Sequence, residues 1–193
     1  SEAEEAVALG ASKATHLYNA MSTFHHRSPG AALALLRARD VYLELIVDFV
    51  HVAPEMVDFT IDYASYRRVV LVSDSISATG MPDGRYRFGD TEVEVVGIAR
   101  TVDTRVLAGS TLTMDRAFAN VVSLNYGLDE VFYMSSLAPA LSLGLTWRLG
   151  VGALRPGFKA DVVVLDPKDL SVAATIVGGT VGYIREELKH LLT

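Results

Sequence analysis

Apolar residues along this chain fall in short runs separated by polar turns, and the runs alternate in character. Residues 14–18, 41–47 and 69–73 are brief and read as buried strands, the latter two rich in Val, Leu and Ile. Between them, residues 30–38 are rich in Ala and Leu, and a stretch opening at Pro54 places Met56, Phe59 and Tyr63 on one apolar face. Both intervening stretches read as helices, Pro54 in the first turn being favourable because its missing N–H is unpaired there anyway. Residues 1–12 form a further expected helix, with Ser1 as its cap and Glu2, Glu4 and Glu5 in the turn where the helix dipole favours negative charge. Strand and helix thus alternate three times through short loops, which predicts an α/β fold with a parallel sheet and right-handed crossovers.

Beyond residue 80 the pattern changes to alternating runs punctuated by Pro82-Asp83-Gly84 and Phe88-Gly89-Asp90, predicting a β-hairpin insertion near 81–107. Residues 113–126 and 129–137 read as helices, and Pro139 with Leu141, Leu143 and Leu145 as a further apolar turn. The run from Leu154 through Arg155-Pro156-Gly157 to Asp166 reads as a strand, Ile176-Val177-Gly178-Gly179 as its next turn, and the last residues as a helix. No internal repeat, low-complexity segment or linker interrupts the chain. Two parts are expected: 1–150, and 151–193 with the C-terminal strands and final helix.

Composition narrows the partners. Half of the 193 residues are apolar, the formal charge is −6 and no basic run occurs, so nucleic acid and acidic membrane are not expected. A phosphorylated substrate would need local donors. The absence of Cys excludes disulfides and thiolate metal sites, and no apolar stretch reaches the ~18–20 residues that span a bilayer. With no basic leader at residues 1–12, the expectation is a soluble, cytoplasmic protein.

His16, His51 and Asp74 each fall at or just beyond a predicted strand end, the position at which parallel α/β folds carry their chemistry. An imidazole there can ligate a metal, although a lone His in an apolar run is more often a hydrogen-bonded core residue. Asp74 is as readily a turn-capping residue as an acid or base. His51 alone would be unremarkable, and Arg27 alone a solvated charge. The adjacent pair His25-His26 is a poor metal site, because neighbouring residues seldom aim both rings at one ion. His190, near the end of the last helix, reads as structural.

The strings Thr15-His16-Leu17-Tyr18-Asn19-Ala20-Met21, His25-His26-Arg27-Ser28-Pro29-Gly30, Asp48-Phe49-Val50-His51-Val52, Leu71-Val72-Ser73-Asp74 and Leu107-Ala108-Gly109-Ser110-Thr111-Leu112-Thr113-Met114 occur in the order and spacing of one family. The chain resembles the C-terminal half of the N-acetylglucosamine-6-phosphate deacetylases of the amidohydrolase superfamily. That resemblance implies the C-terminal half of a (β/α)8 TIM-like barrel plus part of a small β-sandwich domain. It implies hydrolysis of the N-acetyl amide of N-acetylglucosamine 6-phosphate to glucosamine 6-phosphate and acetate, in amino-sugar catabolism. His16 would be a metal ligand, with a Glu and a second His supplied by the half this chain lacks. Zinc is the first expectation for the divalent ion, iron or another divalent metal the alternative. Asp74 would be the catalytic base and acid. Asn19, Ala20, Arg27, His51, Leu107, Ala108 and Gly109 would bind substrate, Arg27 on loan to the neighbouring subunit of a homodimer. Phe49 stands where the family usually carries Gly. The isolated chain is expected to be inactive, completed by the absent half or by self-association. The alternatives are another metal-dependent amidohydrolase, for example one acting on a cyclic amide, and a non-catalytic assembly or regulatory subunit of the same fold.

Overall fold

The computed structural model describes residues 1–22 and 24–192; Thr23, in the expected polar loop, and the terminal Thr193 lie outside the described residues. The chain divides into two compact units, Ser1–Ser135 and Ser136–Thr193.

In the first unit, α1 (Glu2–Ala8) begins with a reciprocal cap: the Ser1 hydroxyl accepts from the Glu4 N–H while the Glu4 carboxylate accepts from the Ser1 amino group at 2.7 Å. The helix stops short of the expected residue 12 because Gly10 adopts φ 103°, a left-handed turn that ends the ladder. Strand β1 (Lys13–Ala14), helix α2 (Gly30–Arg37), β2 (Tyr42–Ile46), α3 (Pro54–Ala64) and β3 (Val69–Val72) follow. The three strands form the expected parallel sheet in order β1-β2-β3, with Ala14 opposite Leu43 and Leu43 opposite Val69. Strand β1 is shorter than the predicted 14–18, since His16 and Tyr18 take positive φ and interrupt the extended backbone, although the Leu17 N–H still donates to the Glu44 carbonyl of β2 at 2.8 Å.

Leu43, Leu45, Ile46 and Val69 are buried, as a parallel sheet covered on both faces requires. Arg68 closes the far end of this layer. Its guanidinium donates to the carbonyls of Leu35, Leu36 and Ala38 at 3.2, 3.1 and 2.6 Å, and its Nε to Val41 at 3.0 Å, satisfying acceptors that the end of α2 leaves open.

The expected hairpin is a three-stranded antiparallel meander of β4 (Gly84–Phe88), β5 (Thr91–Val96) and β6 (Ile98–Thr101). Its small core holds Val93, Val95 and Ala99 with Ile76, Ala78 and Ala108 from the flanking segments. Helix α4 (Met114–Ser123) buries Ala117, Phe118 and Val121 and ends before the predicted residue 126, where Asn125 turns left-handed at φ 70°. A short α5 (Leu128–Phe132) runs into a π-helical turn at Tyr133–Leu137.

The second unit contains α6 (Ala138–Ser142), a π-helical turn Thr146–Gly150 and an antiparallel sheet of β7 (Val162–Leu165), β8 (Val172–Val177) and β9 (Thr180–Ile184). Gly178 and Gly179, at φ 56° and 81°, supply the tight turn joining β8 to β9, as positive φ at both central residues demands. The expected final helix is a 3-10 segment, Glu186–Leu192. Among the described residues no helix is long and apolar enough to cross a membrane.

Candidate active site

Because β1, β2 and β3 are parallel and in register, their C-terminal ends share one edge of the sheet. The residues just past those ends carry a backbone signature. His16, Tyr18 and Ala20 after β1, Phe49 after β2 and Asp74 after β3 have φ of 35°, 77°, 55°, 63° and 49°. A left-handed conformation costs a residue with a Cβ about 1–2 kcal/mol, and such strain gathers at sites where geometry serves function. Three of the expected site residues, His16, Ala20 and Asp74, adopt it themselves.

The end of β2 is the most tightly built. Asp48 Oδ1 accepts from the backbone N–H groups of Val50 and His51 at 2.9 and 2.8 Å, a turn that the left-handed Phe49 makes possible. Its other oxygen, Oδ2, lies 2.6 Å from His51 Nδ1 and 3.4 Å from the donating hydroxyl of Ser110. The side chains of His51 and Asp48 are 6% and 12% exposed. Burial by itself would raise the Asp48 carboxyl, but the His51 ring and the two backbone N–H groups together hold it below the ordinary carboxylate value.

At the end of β3 the Asp74 carboxylate is exposed, and its turn is held through the backbone. The Ser110 N–H donates to the Asp74 carbonyl at 2.8 Å, and the Ile76 N–H to the Ser110 carbonyl at 3.0 Å. Gly109, at φ 60°, passes so close that a Cβ there would sit 2.5 Å from Ile76 Cγ2 and 3.2 Å from the Asp74 carbonyl. The Leu107-Ala108-Gly109 segment and Asp74 are therefore brought together.

A cleft of about 310 Å³ opens beside His51, lined by Tyr18, Met21, Ser22, Phe24, Val52, Ala53 and Met56. Tyr18 fastens its wall to α3, donating to Thr60 Oγ1 at 2.6 Å while Thr60 donates to the Met56 carbonyl. Burial pushes the Tyr18 phenol up. Asn19 is half-buried and donates from Nδ2 to the Leu17 carbonyl at 3.3 Å. Arg27 is exposed, and its hydrogen bonds among the described residues are to its own loop: its N–H to His25 Nδ1, its Nη1 to His26 Nε2. Among the described residues no hydrogen bond joins Arg27 to a residue at the strand ends.

His16 Nδ1 is buried without a hydrogen-bond partner, an orphaned donor-acceptor at the end of β1. Among the described residues no group of three or more His, Cys, Asp or Glu is placed to hold a metal ion. His16 is therefore a single donor rather than a site. Asp48 and Ser110 were not anticipated as site residues. The Asp-x-x-His spacing of Asp48 and His51 is the local signal that could have found the first, since a short carboxylate side chain readily accepts from backbone N–H groups two and three residues on. Ser110 has no such signal.

The profile of the Amidohydrolase family matches residues 1–182, and the chain belongs to that family. Within it, the chain is 39% identical over 179 residues to the N-acetylglucosamine-6-phosphate deacetylase of Lysinibacillus sphaericus, covering 92% of this chain and 45% of that protein. It is 42% identical over 159 residues to the N-acetylgalactosamine-6-phosphate deacetylase of Escherichia coli O157:H7, covering 81% and 41%. The solved structure of a mutant N-acetyl-D-glucosamine-6-phosphate deacetylase from Mycobacterium smegmatis in complex with N-acetyl-D-glucosamine-6-phosphate superposes with a TM-score of 0.88 at 37% identity, over 93% of this chain and 48% of that one. The chain thus spans about half the length of these relatives.

Proposed function

We propose that this chain contributes the proton-transferring and sugar-phosphate-binding part of a deacetylase acting on N-acetylated hexosamine 6-phosphates. The observation that carries the reading is the shared sheet edge at which His16, His51 and Asp74 follow three successive parallel strands. The family membership supports it. In this reading residues 1–150 are part of a (β/α)8 barrel and 151–193 part of a small β-sandwich.

In the reaction the oxygen of water bonds to the acetyl carbonyl carbon, the C–N bond breaks, and acetate and the free amine leave. Asp74 takes the proton from that water and delivers it to the departing nitrogen, a role suited to an exposed carboxylate on a backbone-pinned turn. His51 contacts the substrate and polarises the carbonyl. Asn19, Ala20 and the 107–109 segment bind the sugar phosphate, and Arg27, exposed on its own loop, is available to a neighbouring subunit of a homodimer. A divalent metal, zinc before iron or another, is the cofactor the family implies; when bound it supplies Lewis-acid polarisation. His16 is the ligand this chain offers, and the remaining donors come from outside it. The cytoplasm is the expected compartment.

The 42% identity to a galactosamine-6-phosphate enzyme favours a second reading, in which the galacto epimer is the substrate. The test is acetate release from both epimers by this chain mixed with the portion of the Lysinibacillus sphaericus enzyme that it does not cover. Activity that disappears in Asp74→Asn is expected. A mixture that binds together, carries metal and releases no acetate from either sugar would contradict the reading.

A further inference from the structure

Ser110 is 1% exposed and touches both chemistry-bearing turns. Through its backbone it holds the Asp74 carbonyl and the Ile76 N–H; through its hydroxyl it reaches Asp48 Oδ2 at 3.4 Å while accepting from the Leu112 N–H at 2.8 Å. Ser75, the residue after Asp74, adds a hydroxyl hydrogen bond to the Leu112 carbonyl at 2.5 Å. On the other side, among the described residues Asp48 accepts from two backbone N–H groups and from the Ser110 hydroxyl, and its Oδ2 faces the His51 ring nitrogen. A carboxylate held ionised has no proton to give, so the shared hydrogen at His51 Nδ1 belongs to the ring.

We propose that Asp48 and Ser110 are positioning residues: Asp48 fixes a proton on His51 Nδ1 and leaves Nε2 as the working atom, while Ser110 ties this pair to the Asp74 turn. The ends of β2 and β3 then move as one piece. With Nδ1 committed, the ring donates from Nε2 to a substrate oxygen only when protonated at both nitrogens. A neighbouring carboxylate is the partner that such a doubly protonated ring requires. That His51 acts on substrate rests on the function proposed above; where its ring proton sits and what ties the two turns together do not.

The experiment is 15N NMR of the histidine side chains in the full 193-residue chain, with backbone amides followed alongside. In the native protein His51 is expected to carry hydrogen on Nδ1. In Asp48→Asn the amide oxygen still accepts from the Val50 and His51 N–H groups, but an NH2 group now faces Nδ1, so the ring should switch to the Nε2–H form with the 50–51 amides unmoved. A native ring with hydrogen on Nε2 alone would overturn the proposal without any variant, as would an Asp48→Asn ring indistinguishable from the native one. Ser110→Ala is expected to shift the His51 ring signal and the amides of residues 74–76 together. A response confined to residues 108–112 would overturn the coupling. In the acetate assay, an Asp48→Asn protein with a switched ring and unchanged kcat would remove His51 from catalysis and leave its positioning by Asp48 standing.

Discussion

The ends of β2 and β3 each present an aspartate two residues past a strand, yet they treat it in opposite ways. Asp48 is nearly enclosed, with both oxygens accepting hydrogen bonds; Asp74 is open to solvent, its turn held by main-chain bonds to Ser110, by the Ser75 hydroxyl on the Leu112 carbonyl and by the close passage of Gly109. A carboxylate saturated with donors is a strut, because every departure from its position breaks several bonds at once. One left open can exchange protons with solvent. The same residue type at equivalent places in a repeating α/β pattern thus divides into an enclosed, hydrogen-bonded carboxylate and an exposed one, and the division is made by the neighbours.

The strongest way to break this comparison is at the contact that holds the open turn. Gly109→Ala puts a methyl group 2.5 Å from Ile76 Cγ2 and a side chain at φ 60°. Overpacking and left-handed strain together are expected to cost about 3 kcal/mol in urea unfolding, with Asp74 displaced.

The next test sets the two aspartates side by side. Asp48→Ala strands two backbone N–H groups and the His51 ring and is expected to cost about 2 kcal/mol, whereas Asp74→Ala should stay within about 0.5 kcal/mol of the native protein. Equal costs would dissolve the distinction. The pH dependence has a definite sign. The Asp48 carboxyl titrates lower in the folded chain than its ordinary value of 3.8, so its contribution is complete above that value and is lost as pH falls through the lower folded one. Asp48→Asn should therefore flatten the acid limb of the stability curve.

A smaller effect tests the backbone beneath the strut. Phe49 sits at φ 63°, where any side chain is strained and glycine is not. Phe49→Gly and Phe49→Ala remove the same ring, but only the first removes the strain, so the glycine variant is expected to be more stable by about 1 kcal/mol. Equal stabilities would mean that the turn around Asp48 does not depend on a left-handed residue 49.

Much of this arrangement is legible in the residues themselves. The alternation of apolar runs gives the parallel sheet because burial on both faces leaves a pattern of short, nearly continuous Val, Leu and Ile segments, as at Leu43–Ile46 and Val69–Leu71. The placement of His16, His51 and Asp74 just beyond strand ends is readable from the pattern, whereas the choice of these three as site residues comes from the family resemblance. The rest depends on contacts between distant segments. Ser110 reaches Asp48 across 62 positions, and Arg68 reaches back about 30 to close α2, separations that no local periodicity encodes. Strand β1 misleads for a different reason: Thr15 to Tyr18 has strand-forming residues, but the left-handed backbone at His16 and Tyr18 overrides their preference.

The second unit shows the same limit in another form. Its β8–β9 turn follows directly from Gly178-Gly179, while Val163, Val164, Val177 and Tyr183 remain 45–66% exposed although their residue types suit a covered sheet.

The central claim is that the three strand ends form one site for a phosphorylated N-acetylhexosamine. It is tested most directly by titrating the 15N-labelled chain with N-acetylglucosamine 6-phosphate and following its amides. Joint, saturable shifts at Asn19, Ala20, His51, Ala108 and Gly109 are the expected result, weakened in Arg27→Ala if that side chain is shared between copies. Shifts confined to other surfaces, or none at saturating sugar phosphate, would contradict it.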